Sequence, residues 1–192
     1  MKKITVVGVG ALGSHVVLMG RNLEAAWKVI DFDRVERKNT LSQFHTRMGV
    51  GRNKAQAISQ AVQGLFGLRV EAVPHKLTAD NAEALLGGSD LIIDCLDNAQ
   101  ARRVVQAFAR ANGVPCLHGA LAANGEYGQV LWDEHFEIDE GAAGAATCED
   151  GEHLPFIVGA SAVLVQSAQR FLRDGHKSGF HVLPGGQVRQ VC

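Results

Sequence analysis

Six residues near the start of the chain, Gly8-Val9-Gly10-Ala11-Leu12-Gly13, constrain the fold more than any other segment. The apolar run Ile4-Thr5-Val6-Val7 before them reads as a strand, and Ala11 to Glu24 after them reads as a helix. Strand, G-x-G-x-x-G turn and helix, in that order, form the phosphate- or dinucleotide-binding opening of a Rossmann-type fold. The three glycines have separate tasks. Gly8 permits the tight turn, Gly10 lets a ligand approach the backbone, and Gly13 lets helix and strand pack closely. Asp31 stands 18 residues beyond Gly13, at the end of a second strand over Trp27 to Phe32. A carboxylate there can accept hydrogen bonds from ribose hydroxyls. These features suit NAD and ATP alike.

The rest of the chain alternates between the two element types. Asn53 to Gln63 reads as helical, Arg69 to Val73 as a short strand, and Thr78 caps a helix that ends at Gly87-Gly88. Asp90-Leu91-Ile92-Ile93-Asp94-Cys95 is a near-continuous apolar run, as in strands buried on both faces of a parallel sheet. Asn98 to Ala111 is amphipathic, with Val104, Val105 and Phe108 on one side and Arg102, Arg103 and Arg110 available elsewhere. It stops at Asn112-Gly113. Val114 to Leu117 and Tyr127 to Trp132 are further strands, and an apolar helix runs from about Ile157 to Leu172. Phe180 to Val191 is a hairpin turning at Pro184-Gly185-Gly186. The expected class is α/β: a Rossmann-like, mostly parallel sheet with helices on both faces, completed by the C-terminal helix and β-hairpin.

At 192 residues the chain suits one domain and is short for two, so 1–192 reads as one unit. Within it, about 133–153 is rich in Ala, Gly, Asp and Glu and reads as a mobile loop. A formal charge of -1 with scattered basic residues points to no nucleic-acid or membrane partner. No apolar run approaches the roughly 20 residues that span a bilayer. Met1-Lys2-Lys3-Ile4 opens a strand and not a signal peptide, so a cytoplasmic location is expected. Cys95, Cys116, Cys148 and Cys192 form no C-x-x-C pair, so neither zinc nor a disulfide framework is expected.

Three further segments narrow the function. Asp31-Phe32-Asp33, then Val35-Glu36, Asn39 and Gln43, resembles the D-x-D-x-V-x-x-x-N-L-x-R-Q stretch of the ThiF/MoeB/HesA adenylyltransferases, bacterial relatives of ubiquitin-activating enzymes. Gly51-Arg52-Asn53-Lys54-Ala55 is similar to that family's G-x-P-K-a. Asp94-Cys95-Leu96-Asp97-Asn98 with Arg102 is similar to its D-c-x-D-N-x-x-x-R. The resemblance implies that Asp97 holds Mg²⁺ as a hard oxygen ligand, that Lys54 pairs with ATP phosphates, that Asn39 adds a phosphate hydrogen bond and that Asp31 takes the ribose. Gly8, Gly10, Gly13, Asp33, Gln43 and Asn98 complete the implied nucleotide-binding set. The implied activity is ATP-dependent adenylation of the C-terminal glycine of a ubiquitin-like or sulfur-carrier protein ending in Gly-Gly, by a homodimer. In that chemistry the substrate's carboxylate is itself the nucleophile, so positioning and charge stabilisation carry the catalysis.

The chain departs from the family pattern at three places. Ser42 stands where the family has arginine, with Arg47 or Arg52 as replacement charges; the chain starts directly at its first strand, without the N-terminal segment that sends an arginine to the partner; and the zinc-binding cysteine pairs are missing. Cys148 lies where family members place a thioester- or persulfide-forming cysteine. An exposed low-pKa thiol there would be nucleophilic, and its neighbours Glu149, Asp150 and Glu152 would oppose that. His118 reads as a structural residue beside the site. Two rival functions stay open: an NAD(P)-dependent oxidoreductase, which gives Asn39, Lys54 and Asp97 no task, and a degenerate module that binds the carrier without turnover.

Overall fold

The computed structural model describes residues 1–122, 124–139 and 151–191. The chain runs β1 (Lys2–Val7), α1 (Ala11–Met19), β2 (Ala25–Ile30), α2 (Lys54–Phe66), β3 (Val70–Val73), α3 (Ala82–Leu86) and β4 (Leu91–Asp94). It continues through α4 (Ala99–Asn112), β5 (Cys116–Leu121), β6 (Gly128–Trp132), α5 (Leu154–Asp174), β7 (Phe180–Leu183) and β8 (Gln187–Gln190). The strands form one sheet in the order β3-β2-β1-β4-β5-β6-β7-β8. The first five are parallel and the last three antiparallel. The chain moves outward from β1 through β2 to β3, then returns to place β4 on the other side of β1. The crevice beyond the carboxyl ends of β1 and β4 is therefore the topological switch point, where open α/β sheets bind ligands.

Strand residues point alternately to the two faces, and both faces are covered. Ile4, Val6, Val29, Ile93 and Leu117 pack under α1, α2 and α5. Val7, Ile30, Ile92 and Cys116 pack under α3 and α4. This double burial explains why the central strands read as unbroken apolar runs. Register fixes the site. Ile30 pairs with Val7, Val7 with Asp94 and Asp94 with His118, so one row crosses the carboxyl end of the parallel strands.

Several boundaries differ from the sequence expectation, each for a physical reason. The first helix ends at Met19 and not at Glu24. A Cβ at Gly20 would lie 2.5 Å from the Trp27 ring, and a short 3-10 turn over Gly20–Asn22 follows instead. β5 continues to Leu121 because Gly119 sits inside it, where a Cβ would meet Leu164 of α5 at 2.6 Å. α5 is longer at both ends. Pro155 is accommodated in its first turn, where its missing N–H goes unused, and Gly175 closes it in the left-handed conformation. The segment expected to be mobile from 133 instead begins with a 3-10 turn over Asp133–His135, anchored by an ion pair from Arg110 Nε to Asp133 Oδ2 at 2.7 Å.

Candidate functional site

The glycine turn joins β1 to α1 at the switch point. Gly8 has φ of +84°, and a Cβ there would press on the Cys95 carbonyl oxygen at 3.0 Å, so this position needs glycine for conformation and contact. A Cβ at Gly13 would sit 1.9 Å from the Gly8 carbonyl oxygen. At Gly10 the nearest atom would be Gln43 Nε2 at 4.0 Å. Gly10 thus borders open space while the other two glycines hold the turn. α1 has no side-chain N-cap, which leaves the N–H groups of its first turn directed at the crevice.

Asp31 lies just past β2 and braces this turn. Its Oδ2 accepts the Val9 N–H at 2.8 Å and its Oδ1 accepts the Asp33 N–H at 2.9 Å. Burial raises its pKa, opposed by the Val9 N–H and the Lys54 charge. The Asp33–Val35 strip and Gly51–Lys54 are stitched together, with Val35 N–H to the Arg52 carbonyl at 2.8 Å and Lys54 N–H to the Asp33 carbonyl at 2.8 Å. Asn53 caps α2 by accepting the Gln56 N–H, while its Nδ2 donates to the Asp31 and Asp33 carbonyls at 2.8 and 3.1 Å. This puts Lys54 at the first position of α2, its side chain 11% exposed and its Nζ 3.4 Å from Asp33 Oδ2. It is not a solvated surface lysine. A loosely paired, largely buried ammonium beside Asp31 and the glycine turn is a ready partner for phosphate oxygens.

Asn39 is buried, and its Oδ1 accepts the Glu36 N–H at 2.8 Å, which caps the 3-10 turn Arg37–Leu41. Its Nδ2 has no protein partner among the described residues. The Gln43 side chain reaches toward Gly10, and its Oε1 is buried without a partner among the described residues. Residues 42–45 lie along the start of α1. His15 Nε2 donates to the Ser42 carbonyl at 2.9 Å, Phe44 N–H to Ser14 Oγ at 2.9 Å, and His45 Nε2 to the Val9 carbonyl at 2.8 Å. Burial lowers the pKa of both histidines, His45 to about 4, so both are neutral. Arg47 is exposed on a 3-10 turn and makes no bond to this cluster, and Arg52 reaches Gln60 Oε1 at 2.5 Å. Cys148 lies outside the described residues.

Across the crevice, Asp97 follows β4. It is exposed, and its carboxylate has no partner among the described residues. Asn98, expected as a nucleotide contact, caps α4 by accepting the Ala101 N–H at 2.8 Å. Behind Asp97 lies a charge cluster that residue-type reasoning missed. Asp94 is fully buried and accepts from Leu96 N–H at 2.9 Å, Arg102 Nη1 at 2.9 Å and His118 Nδ1 at 2.7 Å. Arg102 is not on the solvent side of its helix. It is 7% exposed, and its Nη2 donates to the carbonyls of Leu96 and of Gly119, the latter at 2.7 Å. His118 Nε2 donates to Asp133 Oδ1 at 3.1 Å, and the ring stacks on Phe136 with centroids 4.3 Å apart. Burial alone would favour neutral imidazole, but its bonds to Asp133 and Asp94 raise the His118 pKa to about 11. Burial likewise works against the charge of Asp94, yet Arg102 and His118 hold its pKa below the usual range. Asp133 is drawn down to about 2 by His118 and Arg110.

The ThiF family model matches residues 1–151. The SAMP-activating enzyme E1 of Haloferax volcanii is 32% identical over 122 residues, covering 62% of this chain and 45% of that protein. The sulfur carrier protein adenylyltransferase of Thermus thermophilus is 38% identical over 124 residues, with the same two coverages. The chain thus spans less than half the length of these curated relatives. Among solved structures, PaaA superposes with a TM-score of 0.79 at 18% identity, covering 100% of this chain and 64% of that one. The E. coli tRNA N6-threonylcarbamoyladenosine dehydratase TcdA in complex with ATP superposes with a TM-score of 0.62 at 21% identity, covering 88% of each chain. These superpositions agree with the Rossmann-like α/β architecture. Among the described residues no helix is long and apolar enough to cross a membrane.

Proposed function

The chain belongs to the ThiF family, and on that premise we propose that it uses ATP to adenylate the C-terminal glycine carboxylate of a small ubiquitin-like or sulfur-carrier protein. The observation that carries this reading is the largely buried Lys54 ammonium, set beside Asp31 and the glycine turn at the switch point. The pyrophosphate of NAD could take the same cation, but NAD gives the exposed Asp97 carboxylate across the crevice no task. ATP phosphates would lie over Gly10 and the first turn of α1, paired with Lys54 and reached by Asn39 Nδ2, with the ribose on the free lone pairs of Asp31.

In the reaction a carboxylate oxygen of the carrier attacks the α-phosphorus, the bond to the bridging oxygen breaks, and pyrophosphate leaves with its electron pair. No proton moves, so the chain need supply no general base. Lys54 and the helix N–H groups offset the charge that builds on the phosphate oxygens. Asp97 suits Mg²⁺, which binds through one or two carboxylates while keeping phosphate and water ligands. Its exposed, unpartnered carboxylate fits that task, and the ion would supply charge neutralisation at the phosphates. We place the activity in residues 1–192 as a single domain, acting as a homodimer in the cytoplasm.

The test is pyrophosphate exchange into ATP with carrier proteins ending in Gly-Gly, set beside thermal shifts with Mg-ATP and with NAD. Carrier-dependent exchange is expected. A shift with NAD alone and no exchange with any carrier would overturn the reading.

A further inference from the structure

Among the described residues Asp97 has no partner that orients it, yet the backbone leading to it is held tightly. Leu96 has both of its peptide groups engaged from behind: its N–H donates to Asp94 Oδ1 at 2.9 Å, and its carbonyl, which belongs to the Leu96–Asp97 peptide, accepts from Arg102. Asn98, on the other side, is committed to capping α4. The position of Asp97 therefore follows from the position of Asp94. Asp94 Oδ2 is shared between Arg102 and His118. Arg102 is anchored besides at Gly119, and His118 is anchored at Asp133 and by stacking on Phe136.

We propose that His118 is a positioning residue for the Asp97 loop: donating from both ring nitrogens, to Asp94 and to Asp133, it fixes the carboxylate that clamps Leu96. Only an imidazolium can donate to both carboxylates at once. Asp94 and Asp133 face the ring from β4 and from the turn after β6, Arg102 faces the same Asp94 oxygen from α4, and Cys116 lies two residues away on β5. Arg110 from α4 pairs with the other oxygen of Asp133 at 2.7 Å, so each carboxylate has a guanidinium of its own and the imidazolium joins the two pairs. A neutral ring can donate to only one of the two carboxylates, so the link between the Asp94 and Asp133 pairs is lost and Asp94 is held by Arg102 and Leu96 N–H alone. The effect on turnover rests on the adenylation reading, whereas the clamp itself does not.

Two measurements need no catalysis. Long-range nitrogen–proton spectra of the wild-type protein at pH 8 should show both His118 nitrogens protonated. Amide hydrogen exchange at Leu96 should be at least tenfold faster in His118→Gln, while Val6 and Ile93 in the neighbouring strands keep their protection. In pyrophosphate exchange, His118→Gln should raise the half-saturating Mg²⁺ concentration at least fivefold and leave the KM for ATP at saturating Mg²⁺ within twofold. The same substitution should cost nothing further in an Asp97→Asn background. A bare His118 nitrogen at pH 8 overturns the proposal, and so does unchanged Leu96 protection in the variant. A merely structural role would lower the melting temperature and leave the Mg²⁺ dependence alone. If wild-type protein shows no exchange with any carrier, the adenylation reading falls and the two spectroscopic results still decide the clamp.

Discussion

Two alanine substitutions three residues apart in the glycine turn, at Gly10 and Gly13, should separate its structural from its ligand-facing role. In Gly13→Ala the new methyl would meet the Gly8 carbonyl oxygen at 1.9 Å and the Cys95 Cβ at 3.3 Å. Ordinary contact begins near 3.4 Å, so α1 and the turn must separate by about 1.5 Å at that point, and the obstacle is backbone that cannot rotate away. Overpacking of this kind costs about 3 kcal/mol at the upper end of its usual range. The greater helix propensity of alanine returns about 1 kcal/mol, leaving roughly 2 kcal/mol of net destabilisation. For a chain of this size that is roughly 4–8 °C in melting temperature. Gly10→Ala meets nothing closer than Gln43 Nε2 at 4.0 Å and should melt within about 2 °C of wild type. Its methyl would instead project where phosphates approach, weakening Mg-ATP binding at least tenfold, or about 1.4 kcal/mol. Melting by circular dichroism and titration calorimetry with a non-hydrolysable ATP analogue read the two effects separately. A Gly13→Ala protein as stable as wild type would refute the packing argument. Wild-type affinity in Gly10→Ala would remove the turn from the nucleotide site.

Lys54→Met should slow pyrophosphate exchange on the order of 10²-fold and shift stability by under about 1 kcal/mol, since its Asp33 partner is half-exposed at 3.4 Å; equal losses of stability and rate would contradict a phosphate role. His45 has its pKa lowered to about 4, so the stability it contributes is present above pH 6.5 and is lost as pH falls toward 4. Urea unfolding between pH 7.5 and 4.5 should therefore show a shallower acid loss in His45→Leu, and an unchanged slope would count against a neutral buried ring. His118 is the opposite case, raised to about 11. Its contribution is complete below pH 6.5 and is withdrawn as pH climbs toward 11, so His118→Gln should lose less stability than wild type between pH 7 and 10.

The glycine turn, Asp31 and Lys54 were legible in the sequence because each is set by local chemistry. A turn, a strand end and a helix start carry their own residue signatures, and the backbone between them is short. Arg102 falls within a family-like motif, yet its residue type sets it apart from the apolar side of α4, because arginine is rarely buried. Helical spacing carried the better signal: Arg102 lies three and seven residues before Val105 and Ala109, both buried, and so shares their face. The pairing of His118 with Asp94 could not be read that way. It depends on the register of β4 against β5, a contact across 24 residues of chain. Gly119 compounded the difficulty, since a glycine reads as the end of a strand, whereas here it lets α5 approach a continuing one. Asn98, a residue at family spacing, serves the helix as its cap through Oδ1 alone.

Val9 and Leu96, each two residues past the ends of β1 and β4, are held by the same device. Each has its N–H accepted by an aspartate, Asp31 or Asp94, and its carbonyl bonded by a side-chain donor, His45 or Arg102. A loop at a sheet end has left the ladder, so its peptide groups must find other partners or water. Satisfying them from behind leaves the crevice side open for a ligand and makes the loop geometry a property of buried side chains. The two halves differ in charge. On the α1 side the donors His15 and His45 face only carbonyls and remain neutral, while on the α4 side His118 sits between two carboxylates and is charged. One residue type thus takes opposite protonation states on the two faces of one sheet, decided by whether its acceptors carry charge. Through neutral pH neither state changes, so the charges that the described residues bring to the crevice include Asp31, Asp33, Lys54 and Asp97, a set suited to holding a polyanion and a divalent cation rather than to moving protons.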